Sequence, residues 1–129
     1  MQDRPTAGEL LEAIADFLTL DVEPHVPDWL RFQLRVARNS LTIIRRELEH
    51  EDAYLLAEWS GLDTLLGESP RPDSPTELRP GVLARNEELC ARIQAGDFDQ
   101  PEARRALVEH LRAVVANKLR TSNPRYVAS

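Results

Sequence analysis

The sequence has few of the features that hold together secreted or membrane-spanning proteins. It contains one cysteine among 129 residues, so an internal disulfide is excluded. Aromatic residues make up only 5% of the chain, and its uncharged apolar runs are a few residues long, so we expect no transmembrane helix. The opening Met-Gln-Asp-Arg-Pro lacks the apolar stretch of a signal peptide. These absences predict a cytoplasmic protein.

Basic residues are outnumbered, and lysine is almost missing. Sixteen Lys and Arg face 22 Asp and Glu, which gives a net charge of -6, and Lys118 is the single lysine. This balance argues against binding to nucleic acid or to an anionic membrane. The preference for arginine has two explanations: the codon usage of a GC-rich genome, or a use for planar guanidinium groups in binding carboxylates and phosphates.

The hydrophobic pattern is helical along most of the chain. Apolar residues recur at helical spacing in five stretches, and no strand-like alternation is bounded by turns. The sequence therefore predicts an all-α fold, an antiparallel bundle of four to five helices in a single domain over residues 1–129. The predicted helices cover about 6–20, 28–50, 52–66, 80–95 and 100–120, with a Pro-rich linker at 67–80.

Specific residues mark the ends of these predicted helices. Thr6 and Glu9 have the spacing of a capping box at the start of the first helix. Two prolines within residues 23–27 predict its end, because the residue before a proline is steered away from helical geometry. Gly67 and Gly96 are placed to end the third and fourth helices in the left-handed conformation that favours glycine.

The second predicted helix has an unusually broad apolar arc. Apolar residues step by four and three from Leu30 to Leu48, the spacing of a buried bundle seam. Trp29, Phe32 and Val36 extend this arc well beyond one stripe. We therefore expect this helix to be the central element of the bundle, in contact with several neighbours.

Arginines occupy the opposite side of the same helix. On a helical wheel they fall in one sector, which could dock a phosphorylated or acidic partner through bidentate contacts. Because the flanking predicted helices are acidic, the arginines could equally pair with carboxylates of the first and third helices. This candidate docking stripe consists of Arg31, Arg35, Arg38, Arg45 and Arg46.

Two polar residues interrupt apolar faces near the end of the chain. Asn86 falls among Val82 and Leu89 on the wheel, and Lys118 falls among the apolar residues of the last helix. Asn86 can fix helix register, and Lys118 can extend its charge to water near a helix end. The alternative is a polar pocket in which Asn86 orients a ligand while Lys118 and Arg125 hold its acid group.

Motifs for metal binding or catalysis are incomplete. Glu47 and His50 form one Glu-x-x-His motif, but di-iron bundles need two, and the residue three before His110 is leucine. Cys90 is expected to be a packed thiol rather than a nucleophile, and no glycine-rich loop is present to bind phosphates. We expect no metal site, no cofactor and no catalytic residues.

Four segments resemble those of a bacterial domain family of unknown function that consists of small helical proteins. The resemblance implies that such a protein is encoded beside an aminoglycoside-phosphotransferase-like kinase and an acyl-CoA dehydrogenase, and so belongs to acyl-CoA metabolism. The matching segments are Gln2-Asp3-Arg4-Pro5-Thr6-Ala7, Arg35-Val36-Ala37-Arg38-Asn39, Asn86-Glu87-Glu88-Leu89, and Lys118-Leu119 with Asn123-Pro124-Arg125-Tyr126.

Two functional hypotheses follow. The first is a non-catalytic accessory module that binds one of those neighbouring proteins, with a homodimer as a further option and no nucleic-acid or membrane contact. The second is a small-molecule binder or minimal enzyme acting on an acyl-CoA or carboxylate, with its pocket around Asn86, Lys118 and Arg125.

Overall fold

A computed structural model describes residues 3–128 and shows an all-α protein. Met1, Gln2 and Ser129 lie outside the described residues. No strand occurs within 3–128, so the predicted fold class is confirmed. The helices are α1 (Ala7–Phe17), α2 (Asp28–Leu66), α3 (Pro75–Gln94), α4 (Pro101–Ser122) and the short α5 (Arg125–Ala128), with a π-helical turn at Leu18–Val22 and a 3-10 turn at Glu23–His25 after α1.

The start of α1 follows the sequence prediction. Oγ1 of Thr6 accepts a hydrogen bond from the Glu9 backbone N–H at 3.2 Å. Its end differs, because the chain keeps helical geometry through Glu23, the residue before Pro24. The chain becomes extended only at Val26, directly before Pro27.

The two helices predicted at 28–50 and 52–66 are one continuous helix, α2. The predicted break at residue 51 is therefore wrong. No proline or glycine stands there to interrupt the backbone hydrogen bonds. The apolar pattern also resumes at Leu55, seven residues after Leu48, so both halves continue the same helical repeat.

The predicted linker at 67–80 is shorter than expected, because α3 begins at Pro75 rather than at Pro80. Oγ of Ser74 accepts a hydrogen bond from the Thr76 N–H at 3.3 Å, and Pro75 occupies the first helical position, where its missing N–H is not needed. The predictions at the two glycines hold: Gly67 has a φ of 96° and Gly96 a φ of 90°.

The described chain divides into two compact units, one over Met1–Glu51 and one over Asp52–Ser129. We call them the hairpin unit and the core unit. Nothing in the structure tests the prediction of a single domain. In the core unit, Leu62 is fully buried, and residues of α2, α3, α4 and the connection before α4 pack around it. The buried apolar set is Trp59, Leu62, Leu78, Val82, Leu89, Phe98 and Leu107.

The hairpin unit has no buried residue in any of its helices within the described chain. The two arms of the hairpin unit run antiparallel. Arg45 of α2 lies near Glu12, whereas Arg38, which comes earlier in α2, bonds to Thr19, which comes later than Glu12. The prediction that the first half of α2 is a buried, central element is therefore wrong within one chain. Trp29 remains 76% exposed and Phe32 74% exposed.

Candidate functional site

The arginine side of the hairpin unit is engaged within the chain. Glu23, in the 3-10 turn, accepts hydrogen bonds from Nε of Arg35 at 2.9 Å and from Nη1 of Arg38 at 3.1 Å. The hydrogen bond from Arg35 is the main reason that the pKa of Glu23 lies below its usual value, and the charge of Arg38 adds to it. Arg38 also donates to Oγ1 of Thr19 at 3.1 Å.

The remaining arginines of the candidate docking stripe also have partners. Arg31 pairs with Asp28 at 3.1 Å, Arg45 lies 3.8 Å from a carboxylate oxygen of Glu12, and Arg46 makes its own interaction. The stripe thus stabilises the hairpin unit electrostatically, which favours internal pairing over docking. The acidic partners named here come from α1, the 3-10 turn and α2 itself, and none comes from the predicted third helix. Docking of an acidic partner on this stripe stays a prediction.

Apolar residues cover the other side of the hairpin unit. On α1 they follow one stripe at intervals of four and three residues, and on α2 they fill the arc opposite the arginines. We call this surface the hairpin face. It consists of the exposed residues Leu10, Ile14, Phe17, Trp29, Phe32, Val36, Ile44 and Leu48.

The hairpin face is large for an uncovered apolar surface. An aromatic side chain has about 150–250 Å² of area, so Phe17, Trp29 and Phe32 at their observed exposures contribute about 300–500 Å². The aliphatic residues add to this. Contiguous apolar patches of this size on soluble proteins usually mark a site of interaction.

Polar groups of the core unit meet where α2, α3 and α4 approach each other. Nδ2 of Asn86 donates to Oε1 of Glu58 at 2.9 Å, so Asn86 is half-buried and bonded to a neighbouring helix. The ring of His110 lies directly on α2, where a Cβ at position 61 would overlap its Nδ1 and Cε1 atoms. Glycine at position 61 therefore permits this close contact.

Burial lowers the pKa of His110 below its usual value, and the nearby Glu58 carboxylate partly offsets this effect. The folded protein thus prefers the neutral imidazole. The contribution of neutral His110 to the free energy of unfolding is fully present above the pKa of an unfolded histidine, about 6.5. This contribution is lost as the pH falls through that value towards the lower pKa of the folded protein.

We therefore predict that wild-type protein loses more unfolding free energy than His110→Gln when the pH is lowered from about 7.5 to about 5.5. Urea denaturation of both proteins at each pH measures this difference. Glutamine keeps a polar side chain of similar reach but cannot gain the proton. Equal losses in the two proteins would contradict the assignment to His110.

Arg85 is the residue that the sequence analysis missed. Its side chain is buried, and the guanidinium lies 4.7 Å from the centre of the Trp59 ring. It forms an ion pair with Asp63 and donates to the carbonyl oxygen of Gly67 at 2.7 Å. Arg85 thereby ties α3 to the end of α2. A signal was present, because position 85 continues the apolar spacing of Leu78, Val82 and Leu89.

Lys118 and Cys90 both lie at the surface. Lys118 is exposed, so its ammonium reaches water and needs no buried anion. It lies eight residues beyond His110, about 12 Å along α4, whereas Asn86 shares the His110–Glu58 region. Cys90 is exposed rather than packed. The joint pocket of Asn86, Lys118 and Arg125 stays a prediction.

A shallow apolar groove of about 380 Å³ lies on α4 and α5. Val108, Leu111, Val115 and Tyr126 contribute to it, together with Arg112. Asn86, Lys118 and Arg125 are not among its lining residues. Within residues 3–128, no group of three or more His, Cys, Asp or Glu side chains is arranged to hold a metal ion. No helix in the same range has the length and apolar composition needed to cross a bilayer.

Comparison with known proteins identifies the family. The model of DUF6285, described as a domain of unknown function, matches residues 24–126. This match covers most of the chain, including the whole of α2, α3 and α4, so the protein belongs to that family. The searches of curated proteins and of solved structures found no match.

Proposed function

We propose that this DUF6285 member is a non-catalytic accessory module that acts by binding another protein. The hairpin face carries the proposal. It leaves three aromatic and five aliphatic side chains at least 44% exposed, while the charged side of the same unit is occupied by internal ion pairs. Covering the apolar hairpin face with another protein is favourable because it removes these side chains from water.

The resemblance of the sequence segments suggests which protein is bound. A kinase-like protein related to aminoglycoside phosphotransferases, or an acyl-CoA dehydrogenase, is the expected partner, which would give the module a role in the metabolism of acyl-CoA compounds. Its action is then to stabilise or position such an enzyme.

Co-expression with each candidate partner, followed by affinity capture and size-exclusion chromatography, tests this function. We expect wild-type protein to form a complex with one candidate and Phe32→Glu to lose that complex. Leu83→Glu is the matched control, because Leu83 is 60% exposed on α3 in the core unit. Absence of a complex with either candidate, or full retention by Phe32→Glu, would overturn the proposal.

A further inference from the structure

We infer that the hairpin face is covered by a second copy of this chain, so that two hairpin units form a four-helix bundle. This inference rests on the proposed function in treating the hairpin face as an interaction surface: two free copies cover the face mutually, and a partner enzyme replaces the second copy on the same surface. Two antiparallel helices have no enclosed interior, and in this unit no described residue is buried. Four helices are the smallest common arrangement that encloses an apolar core between antiparallel pairs.

The area of the face is sufficient for this assembly. A specific protein interface buries at least about 1,000 Å² in total over both partners. The three aromatic side chains expose about 300–500 Å² on each chain, so two copies supply about 600–1,000 Å² from aromatic rings alone. Leu10, Ile14, Val36, Ile44 and Leu48 bring the total past the requirement.

The charge distribution suits contact between identical surfaces. A twofold dimer brings the same patch together from both copies, so a charged patch would face its own charge. The eight residues of the hairpin face are all uncharged. The arginines lie on the opposite arc of α2, where Arg35 and Arg38 pair with Glu23 of the 3-10 turn, so dimerisation leaves these ion pairs in contact with water.

Polar residues within the same arc present no unpaired charge. Ser40 donates its hydroxyl to the carbonyl oxygen of Val36 at 2.9 Å, and Gln33 is uncharged. Glu47 also lies in this arc and is charged, but its side chain is half-buried and already interacts within the chain. Closing the face therefore buries apolar area without stranding a carboxylate or a guanidinium group.

Sedimentation equilibrium of the full chain tests the inference. We expect wild-type protein to have twice the chain mass of 14.6 kDa, and Phe32→Glu to weaken self-association by about 100-fold, as for a central aromatic residue of an interface. Phe32→Leu, which keeps the side chain apolar, and Leu83→Glu in the core unit should remain dimers. Circular dichroism should show that all variants keep their helices, since Phe32 and Leu83 are exposed.

A wild-type monomer at the highest soluble concentration, or a Phe32→Glu variant that remains a dimer, would overturn the inference. An oligomer larger than a dimer would overturn it as well. These outcomes are distinct from failure of the proposed function. A monomer that still captures a kinase-like or dehydrogenase partner through Phe32 removes the dimer alone, whereas a dimer without either partner removes the accessory role alone.

Discussion

Replacement of Arg85 with alanine is expected to lower the free energy of unfolding of the core unit by about 3–5 kcal/mol. The loss is large because the Arg85 side chain is buried and its partner Asp63 keeps only 26% of its side chain exposed. Alanine leaves the Asp63 carboxylate without its cation and the Gly67 carbonyl oxygen without its donor. It also removes the guanidinium from the Trp59 ring. Arg85→Lys should not restore the lost stability, because one ammonium group cannot reproduce the planar guanidinium that donates to both Asp63 and the Gly67 carbonyl oxygen.

Urea denaturation followed by Trp59 fluorescence measures this effect, in a Trp29→Phe background so that one indole reports. Arg92→Ala is the matched control on the same helix. Arg92 pairs with Glu88 at 2.9 Å, but the two side chains are 41% and 48% exposed to water, so its removal should cost no more than about 0.5 kcal/mol. An Arg85→Ala protein as stable as the Arg92→Ala control would show that the buried network does not hold α3 to α2.

Truncation of Leu62 to alanine is expected to cost about 3–5 kcal/mol. Leu62 has no exposed surface, and the other buried residues of the core unit surround it on several helices. The substitution removes three heavy atoms and leaves a cavity that the neighbouring side chains fill only in part. The same fluorescence-detected denaturation gives the difference in unfolding free energy.

Leu83→Ala provides the comparison for Leu62→Ala, because it makes the same chemical change at a position that is 60% exposed. Its cost should be below about 0.5 kcal/mol. If both substitutions cost the same, Leu62 does not lie in the enclosed centre that the structure describes.

Helix type and several helix ends could be predicted because they depend on local chemistry. The Thr6 cap and the positive φ angles of Gly67 and Gly96 require only neighbouring residues. The break predicted near residue 51 was wrong because no proline or glycine stands there to interrupt the backbone hydrogen bonds. The predicted start of α3 at Pro80 was wrong because Ser74 caps the helix and Pro75 fits its first position, although both stand in a Pro-rich segment.

The partners of polar residues could be predicted only in part. Electrostatic pairing of the arginine stripe was one of two sequence interpretations, but the choice of Glu23 and Glu12 depends on how the hairpin unit folds. Asn86 was singled out from the helical wheel, whereas its bond to Glu58 joins residues 28 positions apart. The sequence does not identify Arg85 as buried, because a charged residue is expected to be excluded from the core unless distant partners satisfy it.

The broad apolar arc of α2 gives the sequence analysis its most informative error. The pattern correctly marks Trp29, Phe32 and Val36 as residues suited to burial, yet one chain leaves them exposed. Amphipathic periodicity indicates that a surface is to be covered, but it does not indicate whether the same chain covers it. The difference between the predicted and observed burial is what points to a second chain.

Acrylamide quenching of Trp29 fluorescence, measured over a range of protein concentrations, tests coverage of the hairpin face most directly. Trp59 is only 5% exposed, so the quenchable signal comes mainly from Trp29. The dimer predicts that quenching of wild-type protein is weak at high concentration and rises on dilution, while Phe32→Glu is strongly quenched throughout. Strong quenching of the wild-type protein at every concentration would contradict a covered hairpin face.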